Sequence, residues 1–141
     1  MKNKGFTLIE LLAIIVVIAI IATITTPVIL NMIEKSKKEA AEQSANGFKD
    51  AIEKYYMNSS INEDEEFDLE GEYIIQDGII SGENLDNIKI NVSGDIPTIG
   101  ILIYEESEIK TGCLTFNEYS VYFEENKVSN VEKGECLNIN T

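Results

Sequence analysis

Twenty consecutive residues near the start of the chain, Leu11 to Leu30, carry no charge. As an α-helix rising about 1.5 Å per residue they reach roughly 30 Å, the thickness of the hydrocarbon layer of a bilayer. Lys2, Lys4 and Gly5 stand ahead of this run, followed by Phe6-Thr7-Leu8-Ile9-Glu10. Glu10 is the only acid among the first thirty residues. A carboxylate at the edge of an apolar helix is expensive in lipid, so a partner is expected for it. A secretory signal would have a shorter apolar region with a small-residue cleavage site after it. Here the run is longer, no such site follows, and the small residue, Gly5, precedes it.

Lys4-Gly5-Phe6-Thr7-Leu8-Ile9-Glu10 followed by a membrane-length run resembles the prepilin leader of type IV pilins and type II secretion pseudopilins. The resemblance covers Lys4 to Pro27 and implies several things at once. A membrane-embedded prepilin peptidase cuts after Gly5 on the cytoplasmic side, and the new terminal residue, Phe6, is N-methylated. Glu10 then pairs its carboxylate with the terminal amine of a neighbouring subunit during assembly. A carboxylate and an ammonium buried together offset one another's desolvation, whereas either alone would cost several kcal/mol. Pro27 sits late in the span, where it removes a helix hydrogen bond and is expected to kink or loosen the helix. Pilins commonly carry a proline there.

The totals exclude several function classes. The chain has 141 residues and a formal net charge of -14, with no Arg, His or Trp. Without Arg, bidentate recognition of phosphate or guanine is not available, and the acidic surface opposes nucleic acid, so no direct nucleic-acid binding is expected. Without His, the commonest general base and metal ligand is missing. No P-loop, GxGxxG, GxSxG or CxxC occurs, so no enzyme and no cofactor is expected.

Four segments are expected: a leader over 1–5, a transmembrane and polymerisation helix over 6–30, an amphipathic half of that helix over 31–58, and an acidic loop with antiparallel strands over 59–141. In the amphipathic half, Ala41, Ser44, Phe48, Ile52 and Tyr55 recur at helical steps and mark the face that needs cover. Gly47 weakens that helix by about 1 kcal/mol relative to Ala, and marks a bend or a close contact. The stretch 59–72 holds Glu63, Asp64, Glu65, Glu66, Asp68, Glu70 and Glu72. A solvated loop is the plain reading; the clustered oxygens would suit Ca²⁺, but their spacing does not match an EF-hand.

From Tyr73 the pattern turns to strands. Tyr73-Ile74-Ile75 is followed by an Asp77-Gly78 turn, and 82–87 reads as a helical turn. Asn87 to Val92 alternates as a half-buried strand, and 98–104 reads as a central one. Residues 113–117 and 119–124 read as hairpin partners, with Leu114 and Phe116 facing Val121 and Phe123, and 127–131 as a last strand. The whole is α+β: one long helix packed on a small antiparallel sheet, the architecture of the pilin globular domain.

Cys113 and Cys136 are the only cysteines. In an exported domain an even pair reads as a disulfide, with two buried free thiols as the alternative. The bridge would close a loop of about 24 residues and contribute roughly 3 kcal/mol. Lysines flank both ends of the span, Lys2 and Lys4 on one side and Lys35, Lys37 and Lys38 on the other, so charge alone orients it poorly. The prepilin resemblance and the cysteine pair put the N-terminus in the cytoplasm and the globular part outside. The expected role is a filament subunit of a type IV pilus or type II secretion-like system. Its expected partners are itself or other pilins, the prepilin peptidase, and the assembly platform and ATPase of the inner membrane. A competence pseudopilin for DNA uptake and an anchored extracellular binding domain that does not polymerise are the alternatives.

Overall fold

A computed structural model of the chain describes residues 4–61, 69–83 and 85–136. One α-helix, α1 (Leu8–Ile61), is followed by seven strands: β1 (Gly71–Gln76), β2 (Ile79–Gly82), β3 (Leu85–Lys89), β4 (Ile99–Glu105), β5 (Glu108–Phe116), β6 (Tyr119–Glu124) and β7 (Lys127–Lys133). The chain divides into two compact units, Met1–Lys37 and Lys38–Thr141.

The first unit is the apolar part of α1. Its side chains from Leu8 to Ile33 are exposed throughout. Among the described residues α1 is the one helix long and apolar enough to cross a membrane. A helix suits that setting because it satisfies its own backbone. It also satisfies its threonines. The Thr23 hydroxyl donates to the Ile20 carbonyl at 2.7 Å, the Thr26 hydroxyl donates to the Ala22 carbonyl at 2.6 Å, and the Thr25 hydroxyl donates to the Ile21 carbonyl. Three hydroxyls thereby find partners within the helix itself in the turn ahead of Pro27, which lies inside α1.

The second unit holds the core. Ala41, Ala45, Phe48 and Ile52 are buried along one stripe of α1 and join a single cluster with the sheet. The expected stripe is therefore corrected at one position. Ser44 is only partly buried and Ala45 takes its place, whereas Tyr55, though partly buried, packs against the cluster as expected. Gly47 is exposed, and a Cβ there would meet nothing within 4 Å, so close packing does not explain it.

All seven strands form one antiparallel sheet in the order β3-β2-β1-β4-β5-β6-β7. On its inner face Tyr73, Ile75, Ile80, Leu102, Tyr104, Leu114, Phe116, Tyr119, Val121 and Phe123 are buried. Leu114 stands opposite Val121 as expected, while Phe116 stands opposite Tyr119, and Gly112 opposite Phe123. Two glycines on this face give way to leucines on adjacent strands. A Cβ on Gly100 would lie 2.5 Å from Leu114 Cδ2, and one on Gly112 would lie 2.6 Å from Leu102 Cδ2. Either addition would also press on backbone carbonyls, so the strand spacing leaves no room for it.

The helical turn expected over 82–87 is not formed. Gly82 closes β2 and pairs with Leu85 of β3. The reason lies on the neighbouring strand, where a Cβ on Gly82 would sit 2.7 Å from the Tyr73 ring. Gly82 is thus a glycine chosen for a large ring beside it rather than for a helix end. The strand expected over 87–92 starts and stops earlier, at Leu85 and Lys89. Ile90 remains buried just beyond it, its N–H donating to the Gly78 carbonyl at 3.1 Å.

Tyr104 is the one buried side chain among the described residues whose polar atom lacks a hydrogen-bond partner. Its ring meets that of Tyr73 edge-on at 5.7 Å. Burial, then the nearby Glu53 carboxylate and Tyr73, push its phenol well above the ordinary range, so it stays neutral.

Candidate functional site: the helix start and the clasped tail

The start of α1 is built by Thr7 and Glu10. The Thr7 N–H donates to Glu10 Oε2 at 2.8 Å, and the Glu10 N–H faces Thr7 Oγ1 at 3.4 Å. This is a reciprocal capping box, in which the two side chains satisfy amides that the first turn leaves free. The first helical bond follows, with the Leu11 N–H donating to the Thr7 carbonyl at 3.2 Å. Glu10 therefore has a second role that the sequence reading above did not assign. The signal was present as Thr7-x-x-Glu10 ahead of an apolar run. A carboxylate in the first turn is further favoured by the positive end of the helix dipole.

Gly5 and Phe6 precede the cap in non-helical backbone. Gly5 is exposed with open space around it, and Phe6 is 82% exposed. The peptide bond between them is thus free of secondary structure and sits two residues ahead of the helix, a geometry that a peptidase can engage. Thr7 and Glu10 both lie beyond that bond.

At the other end of the chain, Cys113 and Cys136 are bonded, with Cα atoms 5.9 Å apart. Cys113 lies on the outer face of β5, since its neighbours Gly112 and Leu114 belong to the inner face. The tail after β7 crosses that outer face strand by strand. The Ser120 hydroxyl donates to the Gly134 carbonyl at 2.6 Å, and the Cys136 N–H donates to Thr115 Oγ1 at 2.9 Å. Thr115 and Ser120, 3.3 Å apart, are buried beneath it. Removing both cysteines as Cys113→Ser with Cys136→Ser is expected to destabilise the domain by about 3 kcal/mol, visible as a fall in Tm of roughly ten degrees or more. An unchanged Tm would mean that hydrogen bonding alone holds the tail.

Of the acidic stretch, Glu63, Asp64, Glu65, Glu66 and Asp68 lie outside the described residues. Glu70 Oε1 accepts from the Glu106 N–H at 2.8 Å, tying the entry of β1 to the β4–β5 turn. Glu72 is exposed on β1. Among the described residues no group of three or more acids or cysteines is placed to hold a metal ion.

Residues 1–26 match the family model of the prokaryotic N-terminal methylation motif. The chain carries the signature of type IV pilins and pseudopilins. Neither the curated proteins nor the solved structures include a match to it. The matched residues include the cap, the Gly5–Phe6 bond and most of the apolar run, and the α+β architecture behind them is consistent with a pilin-like fold. The signature implies processing by a prepilin peptidase and a structural role, and together with the exposed apolar helix it fits a membrane-anchored protein.

Proposed function

We propose that the chain is a structural subunit of a type IV pilus or type II secretion-like filament, held in the membrane by α1 with its N-terminus in the cytoplasm. Prepilin peptidase cuts between Gly5 and Phe6, and Phe6 is then N-methylated. Subunits polymerise through the apolar half of α1, with Glu10 pairing with the terminal ammonium of a neighbour. Pro27 is the place where the helix loosens within the filament. The observation that carries this reading is the methylation motif over residues 1–26. It falls on an exposed apolar helix whose first turn holds Glu10. An apolar surface of that length is stable only in lipid or against copies of itself.

Mass spectrometry of the chain purified from its native host tests the reading directly. The expected mature protein begins at a methylated Phe6. Gly5→Val is expected to leave the leader attached, because the peptidase needs a small residue at that position. Surface-exposed material that still begins at Met1 would overturn the proposal.

A further inference from the structure

A groove of about 430 Å³ runs between the second half of α1 and the stretch that follows β3. Gly47, Asp50, Lys54 and Asn58 form its helical wall, and Lys89 and Ser93 stand across from them. Gly47 is the exposed glycine that core packing leaves unexplained, since a Cβ there would meet nothing within 4 Å. Here it has a role, because a side chain at that position would take up room in the groove. Lys54 and Lys89 are both exposed, and neither forms an ion pair among the described residues. Two lysines against one aspartate make a net positive patch on a chain whose formal net charge is -14. The groove continues past Gly47 toward Ala40, where Asp95 lines it, so its cationic end is the one at Lys54 and Lys89.

Matching charges lie at the far end of the same sheet. Lys89 is level with Ile99, the first residue of β4, through the register Lys89–Ile79–Gln76–Ile99. The Glu106-Ser107 turn closes the other end of β4, where Glu105 stands opposite Glu108. β4 is 7 residues long, so at about 3.3 Å per residue the two ends lie roughly 20 Å apart. The turn is tied down on both sides. The Glu106 N–H donates to Glu70 Oε1 at 2.8 Å, and Glu105 is paired with Lys110 at 2.5 Å. The carboxylates of Glu106 and Glu108 are exposed and have no partner among the described residues. One sheet domain thus carries two unpaired ammonium groups at one end and two unpaired carboxylates at the other, too far apart to meet.

We infer that the groove at Lys54 and Lys89 receives the Glu106-Ser107-Glu108 turn of a second copy of this chain. Copies of so acidic a chain repel one another over most of their surface. Unlike charges therefore decide where two copies can touch and in which register. The contact joins two different surfaces at opposite ends of the sheet, so it repeats from copy to copy in line and builds an open string. The inference rests on the filament reading above, in which α1 brings the copies together. A turn seated in a groove buries less than the ~800 Å² per partner of a contact that stands alone.

The test places photo-crosslinking p-benzoylphenylalanine in place of Ser107 in the full chain in its native host, and irradiates sheared filaments and membranes separately. The expected products are covalent dimers and higher multiples, joined at peptides spanning 47–58 or 89–93. Their yield is expected to fall several-fold in Lys54→Glu with Lys89→Glu, and likewise in Glu106→Lys with Glu108→Lys. It is expected to return when all four changes are combined in one chain, since unlike charges then face each other again. Gly47→Leu favours the helix but fills the groove, and should lower the yield as well. Filaments that carry methylated Phe6 but give no crosslink at those peptides would overturn the contact and leave the filament reading standing. Groove crosslinks in the membranes of a host that makes no filaments of this chain would uphold the contact and count against that reading. Crosslinks to a different protein, or a yield that the four combined changes do not restore, would overturn the contact.

Discussion

A Glu10→Ala chain is expected to insert in the membrane and fold its sheet domain as the unchanged chain does, yet to give few or no filaments. Insertion should be slightly favoured, because a charge leaves the edge of the span. Assembly should fail, because on the proposed reading each incoming Phe6 ammonium would enter an apolar core without its counter-charge. Removing one partner of a buried pair costs about 3–5 kcal/mol, and the loss recurs at every subunit added. The capping box complicates this variant, since Glu10 also accepts from the Thr7 N–H. Glu10→Gln separates the two roles. Glutamine serves in a capping box as well as glutamate does, so the helix start is kept while the charge is lost. Thr7→Val does the reverse, weakening the cap by about 1 kcal/mol and leaving the charge in place. Filament yield by shearing or electron microscopy, set against total inserted protein, should fall for Glu10→Ala and Glu10→Gln alike and be largely kept by Thr7→Val. Normal filaments from Glu10→Gln would show that the carboxylate's charge is not what assembly needs.

Phe48→Ala is expected to have the opposite outcome, sparing the membrane segment and crippling the domain. Phe48 has no exposed surface and lies on the α1 stripe that joins the sheet in one cluster. Truncating a buried Phe typically costs about 3–5 kcal/mol through lost burial and the cavity left behind. A domain of this size has a total stability of about 5–15 kcal/mol, so the variant should melt on the order of 15 °C lower or arrive partly unfolded. Phe48→Leu, which refills most of the volume, should lose only roughly 1–2 kcal/mol. Thermal unfolding of the full chain in nanodiscs, followed by near-ultraviolet circular dichroism, measures both. A Tm for Phe48→Ala within two or three degrees of the original would mean that α1 is not part of the core.

How much of this was legible depended on whether the local sequence or its neighbours decided each element. The membrane-length run, the helix stripe and the strand over Ile99–Glu105 were legible because each has an apolar period of its own. Asp77-Gly78 announced its turn, since both residues adopt positive φ and glycine does so without strain. Glu106-Ser107 and Glu125-Asn126 make equally tight turns with φ between 47° and 66°, yet Glu and Ser give no such signal. There the pairing of the flanking strands imposes the conformation. The first half of β5, Glu108 to Gly112, was missed for a related reason. It is largely polar, and it is a strand because β4 and β6 hydrogen-bond to it on both sides. Gly82 was misread because the ring of Tyr73, which explains it, is nine residues away in the sequence. At the helix start, Glu10 was legible as an anomaly, but its bond to Thr7 required attention to a four-residue pattern that the apolar run overshadowed.

The placement of Thr7 and Glu10 downstream of the Gly5–Phe6 bond bears on how a subunit could register its own maturation. Cutting that bond leaves both cap residues in the chain, so the first turn of α1 need not be rebuilt. What changes is the group next to the cap, from a neutral amide to a positive charge one residue from Thr7. An uncut chain and a cut chain would then present the same helix with different electrostatics at its tip. On the proposed reading, a growing filament could reject immature subunits without inspecting their shape, because only a cut chain brings the cation that Glu10 of a neighbour can hold.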